Sequence, residues 1–192
     1  MSFLILGLAI FLGVHSVRLF ARDWREAQIA RLGEQRWKGV YSLVSAVGLG
    51  LIVWGYGMAR ADPVMLWVPP LWTRHLAALL TLPAFILLVA AYVPGSHIKA
   101  VIGHPMVAGV KLWALAHLLA SGKLSTVVLA GAFLVWAIAG FASSRRRDRA
   151  ESRTYPVVGW PRDVMVIALG GIAWALFALY GHAWLIGVRP FG

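Results

Sequence analysis

The sequence predicts an all-α integral membrane bundle, a single domain over residues 1–192. Composition, apolar run length and the placement of the cations all support this. Of the 192 residues, 60% are hydrophobic and 13% charged, with mean hydropathy +0.77. A soluble domain averages about 45–50% apolar and about 25% charged. About six apolar runs reach the roughly 20 residues a spanning helix needs, at about 3–20, 39–58, 71–93, 105–121, 125–143 and 164–187. Formal charge is +11, and the excess sits in loops between apolar runs. That pattern follows the positive-inside rule and does not point to nucleic acid.

The first run has no cation before it; Arg18, Arg22 and Arg25 come after. It therefore reads as a retained span and not as a cleaved signal. In the second, Ser42, Ala46 and Gly50 fall four apart, a spacing that lets a neighbouring helix approach. Pro69-Pro70 and Pro94-Gly95 bracket the third, and Pro83 inside it is expected to kink it. Gly122-Lys123-Leu124 is the whole connection between the fourth and fifth, so these form a tight hairpin.

Loops after the odd-numbered spans carry Arg22, Arg25, Arg31, Arg36 and Lys38, then Lys99, then Arg145, Arg146, Arg147, Arg149, Arg153 and Arg162. The opposite side carries Arg60, Arg74, Lys123 and Arg189. Both termini are thus expected on the non-cytoplasmic side. Trp67, Trp72 and Trp184 at one level, and Trp24, Trp37 and Trp160 at the other, suit interfacial belts.

His15 and His117 lie inside apolar runs, where an ionisable side chain is costly and usually functional. On antiparallel helices their Cα atoms would differ in depth by roughly 10 Å at 1.5 Å rise per residue. Helical side chains lean toward their own N-terminus, so both rings should point back to the midplane. Two such helices as neighbours would grip something thin and flat. Phe11, with Leu8 and Leu12, shares the His15 face, and Arg18 follows one turn later; Trp113 and Ala114 share the His117 face. Apolar walls with one guanidinium suit a porphyrin and its propionate. The plainer alternative is two unrelated imidazoles, each hydrogen-bonded to a carbonyl. His75 at the outer end of the third span is the substitute ligand, and His182 reads as interfacial. His97 lies in a polar loop, and His104 opens the fourth span on the same face as Lys111.

The absences narrow the chemistry. There is no cysteine, so disulfides, thiolate ligands and a cysteine nucleophile are excluded. No phosphate-binding loop, dinucleotide fingerprint, zincin motif or nucleophile elbow occurs in the needed context. Asp23, Glu26, Glu34, Asp62, Asp148, Glu151 and Asp163 all read as loop residues, which argues against a buried carboxyl pair.

Three stretches carry a family resemblance: GVHSVRLFA around His15, YSLVSAVGLGLIVWGYG, and His104-Pro105-Met106 followed by Leu112-Trp113-Ala114-Leu115-Ala116-His117. Together they resemble the NnrU family over nearly the whole chain. The family is associated with nitrite and nitric oxide metabolism in denitrifying bacteria, and it includes the plant-type 15-cis-ζ-carotene isomerase, a membrane enzyme that binds haem b. The resemblance implies haem b iron held by His15 and His117, with a redox-linked role in a bacterial inner membrane. It implies as partners membrane lipid, haem, and either a polyene or nitric oxide. The isomerase has a cysteine three residues before its second histidine; Ala114 stands there in this chain. Isomerisation by exchange of that ligand is therefore not implied. A weaker likeness, His104-Pro105-x-x-x-Gly109, is to membrane methyltransferases that use S-adenosylmethionine. Gly103 and Val107 depart from that motif, and its paired glutamates are missing. A cofactor-free membrane subunit is a third class.

Overall fold

The computed structural model describes residues 1–191 and is helical throughout them apart from loops and one isolated β-bridge. Five helical stretches are long and apolar enough to cross a membrane. They are α1 (Ser2–Phe20), α3 (Glu34–Ala61), α4 (Trp72–Tyr92), α7 (Leu124–Ala150) and the run from α8 (Trp160–Leu176) to Ile186. Between them lie α2 (Arg22–Leu32), α5 (His97–Ile102) and α6 (Pro105–Ala120). The sequence suggests about six spans, and α6 is the one that falls short of this length. With 16 residues, α6 is about 24 Å long, short of the roughly 30 Å hydrocarbon layer. Gly103 at φ +75 breaks the chain just before Pro105, and Ser121 leaves the helix in extended backbone.

The last stretch is also not one regular helix. A π-helical turn, Phe177–Gly181, separates α8 from α9 (His182–Ile186). Such turns insert one extra residue and recur at functional sites. The helix α4 continues through Pro83. The α6–α7 hairpin is as tight as expected, and its loop pairs with the α3–α4 loop: Leu66 N–H donates to Gly122 O at 2.8 Å and Leu124 N–H to Val64 O at 2.9 Å.

Two arms meet on a shared wall. One arm is α1 packed along α3; the other is α6 packed on α4, with α8 on the far side of α4; α7 touches both α1 and α6. The first arm closes through glycines. A Cβ on Gly7 would sit 2.6 Å from Ile52 N, one on Gly48 would sit 2.8 Å from Phe11 N, and one on Gly55 would overlap Leu4 N. Spaced seven apart, Gly48 and Gly55 set the contact face. The expected stripe of Ser42, Ala46 and Gly50 is instead exposed, and nothing lies within 4 Å of a Cβ on Gly50. Small residues do let α1 approach α3, but they are Gly48 and Gly55 on another face, not the expected stripe.

Few side chains are fully buried; Leu4, Leu8 and Ile52 form a small core with Phe11, Leu12, Tyr56 and Phe133 packed against it. Large apolar side chains such as Leu43, Val53 and Val135 stay exposed around the bundle. So much exposed apolar surface needs a hydrocarbon solvent. Trp67, Trp72 and Trp184, and at the other end Trp24 and Trp160, are exposed as an interfacial belt requires.

Candidate functional site

Both intramembrane histidines adopt one local geometry. The Nδ1 atom of His15 lies 2.7 Å from Phe11 O, and that of His117 lies 2.7 Å from Trp113 O. A carbonyl only accepts, so Nδ1 carries the proton in each ring and Nε2 keeps its lone pair. Each ring folds back over the preceding turn, as the lean of helical side chains predicts. His15 stacks on Phe11 at 4.2 Å between centroids, and His117 leans on Trp113 at 4.7 Å.

Their helices are not the adjacent pair the sequence suggests. Among the described residues no packing contact joins α1 to α6. Phe133 of α7 instead touches both arms, 5.8 Å from Phe11 and 5.6 Å from Trp113. A line of aromatic rings thus runs between the two imidazoles. Ala114, one turn before His117, is completely buried.

The surroundings of the two rings differ. His15, 5.3 Å from the Tyr41 ring and 6.1 Å from that of Trp136, opens into a cavity of about 850 Å³. Val14, Met106 and Val107 give it apolar walls, and Arg18 lines it too. The indole Nε1 of Trp136 is buried with no hydrogen-bond partner among the described residues. His117 does not line that cavity. Its nearest imidazole is His182, 6.4 Å away and within 24° of parallel. The His182 Nδ1–H in turn donates to Val188 O at 2.7 Å, which leaves that ring's Nε2 free as well. The expected substitute, His75, is an exposed residue of α4, and no ring contact joins it to His117. What brings His182 to His117 is the π-helical turn before it, which a periodic apolar pattern does not announce.

Two carboxylates read as loop residues are in fact buried on helices. Asp148, in the last turn of α7, accepts from His104 Nε2 at 2.9 Å and from the Tyr155 hydroxyl at 3.1 Å. Burial first, and then the Asp148 carboxylate, raise the Tyr155 hydroxyl pKa above its ordinary value. Asp163, in the first turn of α8, sits 2.6 Å from His97 Nδ1 and accepts from Ile98 N–H at 3.1 Å. The signal for Asp148 was available: it shares a helical face with Phe141 and Ser144. The arginines around it made α7 seem to end before it. His97, read as a polar-loop residue, therefore anchors α5, and His104 anchors the start of α6, the helix it was expected to open. No cluster of three or more metal-ligating side chains occurs among the described residues.

A helical bundle with this apolar surface and these buried polar groups is a multi-pass membrane protein. The family model of the NnrU protein matches residues 3–190, so the chain belongs to the NnrU family. No curated protein and no solved structure matches it.

Proposed function

We propose that this chain is a haem b-binding protein of the bacterial inner membrane, with His15 and His117 as the residues that would hold the iron and a redox-linked role. The observation that carries the reading is the pinning of both imidazoles. Metal-bound histidines almost always donate the second ring N–H to a carbonyl or carboxylate, which fixes tautomer and orientation. Here both do so through Nδ1, inside apolar helices. α1 and α6 share no packing contact, and Phe11, Phe133 and Trp113 stand between the two imidazoles, so the reading requires these aromatic side chains to give way to the macrocycle. Phe11, Phe133 and Trp113 supply aromatic walls, and Arg18 with the free Trp136 N–H suits a carboxylate such as a propionate.

Bound haem would supply one-electron chemistry and, on release of an imidazole, an open position for nitric oxide or a polyene double bond. The chain's own residues hold the ring tautomers, exclude water and fix the donors. With Ala114 buried where the isomerase has cysteine, electron transfer or sensing in nitrogen-oxide metabolism is the reading the residues favour. Isomerisation of a ζ-carotene-like polyene is the enzymatic alternative. The positive-inside rule sets the arginine-rich end in the cytoplasm and both termini outside it.

The purified protein should show a Soret band, and sharp α and β bands after reduction. His15→Ala and His117→Ala should each abolish the paired-imidazole spectrum, while His97→Ala leaves it intact. A specific observation supports one variant of this reading, the near-parallel His117 and His182 rings. Loss of the spectrum in His182→Ala but not in His15→Ala would assign the iron to that pair. A protein that stays colourless when supplied with haem would rule out both. Expression beside a ζ-carotene pathway, with isomers separated by chromatography, tests the enzyme against an empty vector. Binding of labelled S-adenosylmethionine would favour the methyltransferase class instead.

A further inference from the structure

The arginine-rich end of the bundle holds a second feature, which the haem reading does not use in full. Arg18 from α1, Arg25 from α2, Arg147 from α7 and Arg153 from the loop after α7 line the mouth of the large cavity. The same four line a smaller adjoining cavity of about 230 Å³. The carboxylates of that smaller cavity, Glu26 and Glu151, lie 2.8 and 3.6 Å from Arg22 nitrogens. None of the four arginines forms an ion pair with a carboxylate among the described residues. Arg147 reaches only the hydroxyls of Ser143 and Ser144.

Like charges from four separate segments repel unless an anion joins them. The chain also takes on strain to bring the fourth: Ser152 has φ +48, and Arg153 N–H donates to Asp148 O at 2.8 Å. A non-glycine residue in that region is uncommon and costs free energy. Next to the guanidiniums the cavity wall turns apolar, through Val17, Leu19 and Val107.

A cationic mouth on an apolar pocket at a membrane surface fits one class of ligand, an amphiphile with an anionic head. We propose that Arg18, Arg25, Arg147 and Arg153 bind the phosphate headgroup of an anionic membrane lipid, with an acyl chain lying in the cavity along Val17, Leu19 and Val107. Guanidiniums bind phosphate through paired N–H donors, and basic pockets between spanning helices are known sites for such headgroups.

The test is native mass spectrometry of the full chain released from detergent, with phosphatidylglycerol, phosphatidylcholine or inorganic phosphate added, and the Soret band read on the same samples. Wild type should retain phosphatidylglycerol roughly tenfold better than phosphatidylcholine. Arg147→Gln/Arg153→Gln should remove that preference. Arg146→Gln/Arg149→Gln, the same charge change at two exposed positions lining neither cavity, should keep it. Equal loss in both double variants would overturn the proposal, since charge alone would explain it. Displacement of phosphatidylglycerol by millimolar inorganic phosphate would overturn it in favour of a soluble anion. Loss of the Soret band with lipid binding unchanged in Arg147→Gln/Arg153→Gln would overturn it in favour of haem propionates. A colourless protein that still selects phosphatidylglycerol would refute the haem reading and leave this one standing.

Discussion

His15 and His117 share one local geometry in two different settings. Each donates Nδ1–H to the carbonyl one turn back and stacks on the aromatic ring there. Yet His15 faces an arginine-lined cavity, whereas His117 lies outside that cavity, against His182. Local helix geometry therefore fixes which nitrogen is presented, and the arm that carries the helix fixes what that nitrogen meets. One arm closes by backbone contact through glycines; the other packs α6 and α8 on α4. Phe133 of α7 contacts both arms.

The largest effect should come from splitting either arm. In Gly55→Val the new side chain would collide with the Leu4 backbone, and in Gly170→Val with Ile86, whose Cα lies 2.6 Å from the added Cβ. Each should cost at least the upper end of about 1–3 kcal/mol, read as lost melting temperature and yield. If the arms are separate units, Gly55→Val should disturb His15 first and Gly170→Val should disturb His117 first. Equal damage to both haem signatures would show a single unit.

Phe133→Ala removes the ring that spans the arms and should cost about 2–3 kcal/mol in thermal or denaturant unfolding. A neutral result would mean that α7 couples the arms through its backbone and smaller residues. Asp148→Ala leaves His104 and Tyr155 without their acceptor and should cost about 1–2 kcal/mol. It should leave the haem spectrum unchanged, because Asp148 supports the start of α6 at His104, roughly three turns before His117. Gly50→Ala should be the mildest, neutral or stabilising by about 0.5–1 kcal/mol. A loss there would mean that the exposed face of α3 is covered by a second copy.

The histidine geometry was legible because it depends only on helical periodicity. The lean of a helical side chain and the acceptor one turn back are set within five residues, so the orientation of both rings could be read from the chain. The arrangement of the arms was not. Ser42, Ala46 and Gly50 carry the same small-residue spacing as a packed face, but only the contact with α1 distinguishes that stripe from Gly48 and Gly55. Asp148 and Asp163 looked like loop residues because charge dilutes an apolar pattern before the helix ends. Each of these carboxylates is buried, and a histidine partner, His104 or His97, is what keeps it inside.

Chain order and composition alone determined an all-helical membrane bundle, the basic end, and two imidazoles within apolar helices. These follow from hydrophobic burial and helical period, which act over a few turns. Only the tertiary structure decided that α7 stands between α1 and α6, that a π-helical turn brings His182 to His117, and that four arginines converge with none of them ion-paired to a carboxylate among the described residues. Those outcomes rest on contacts between residues far apart in sequence, and their cost or gain exists only once the helices have packed.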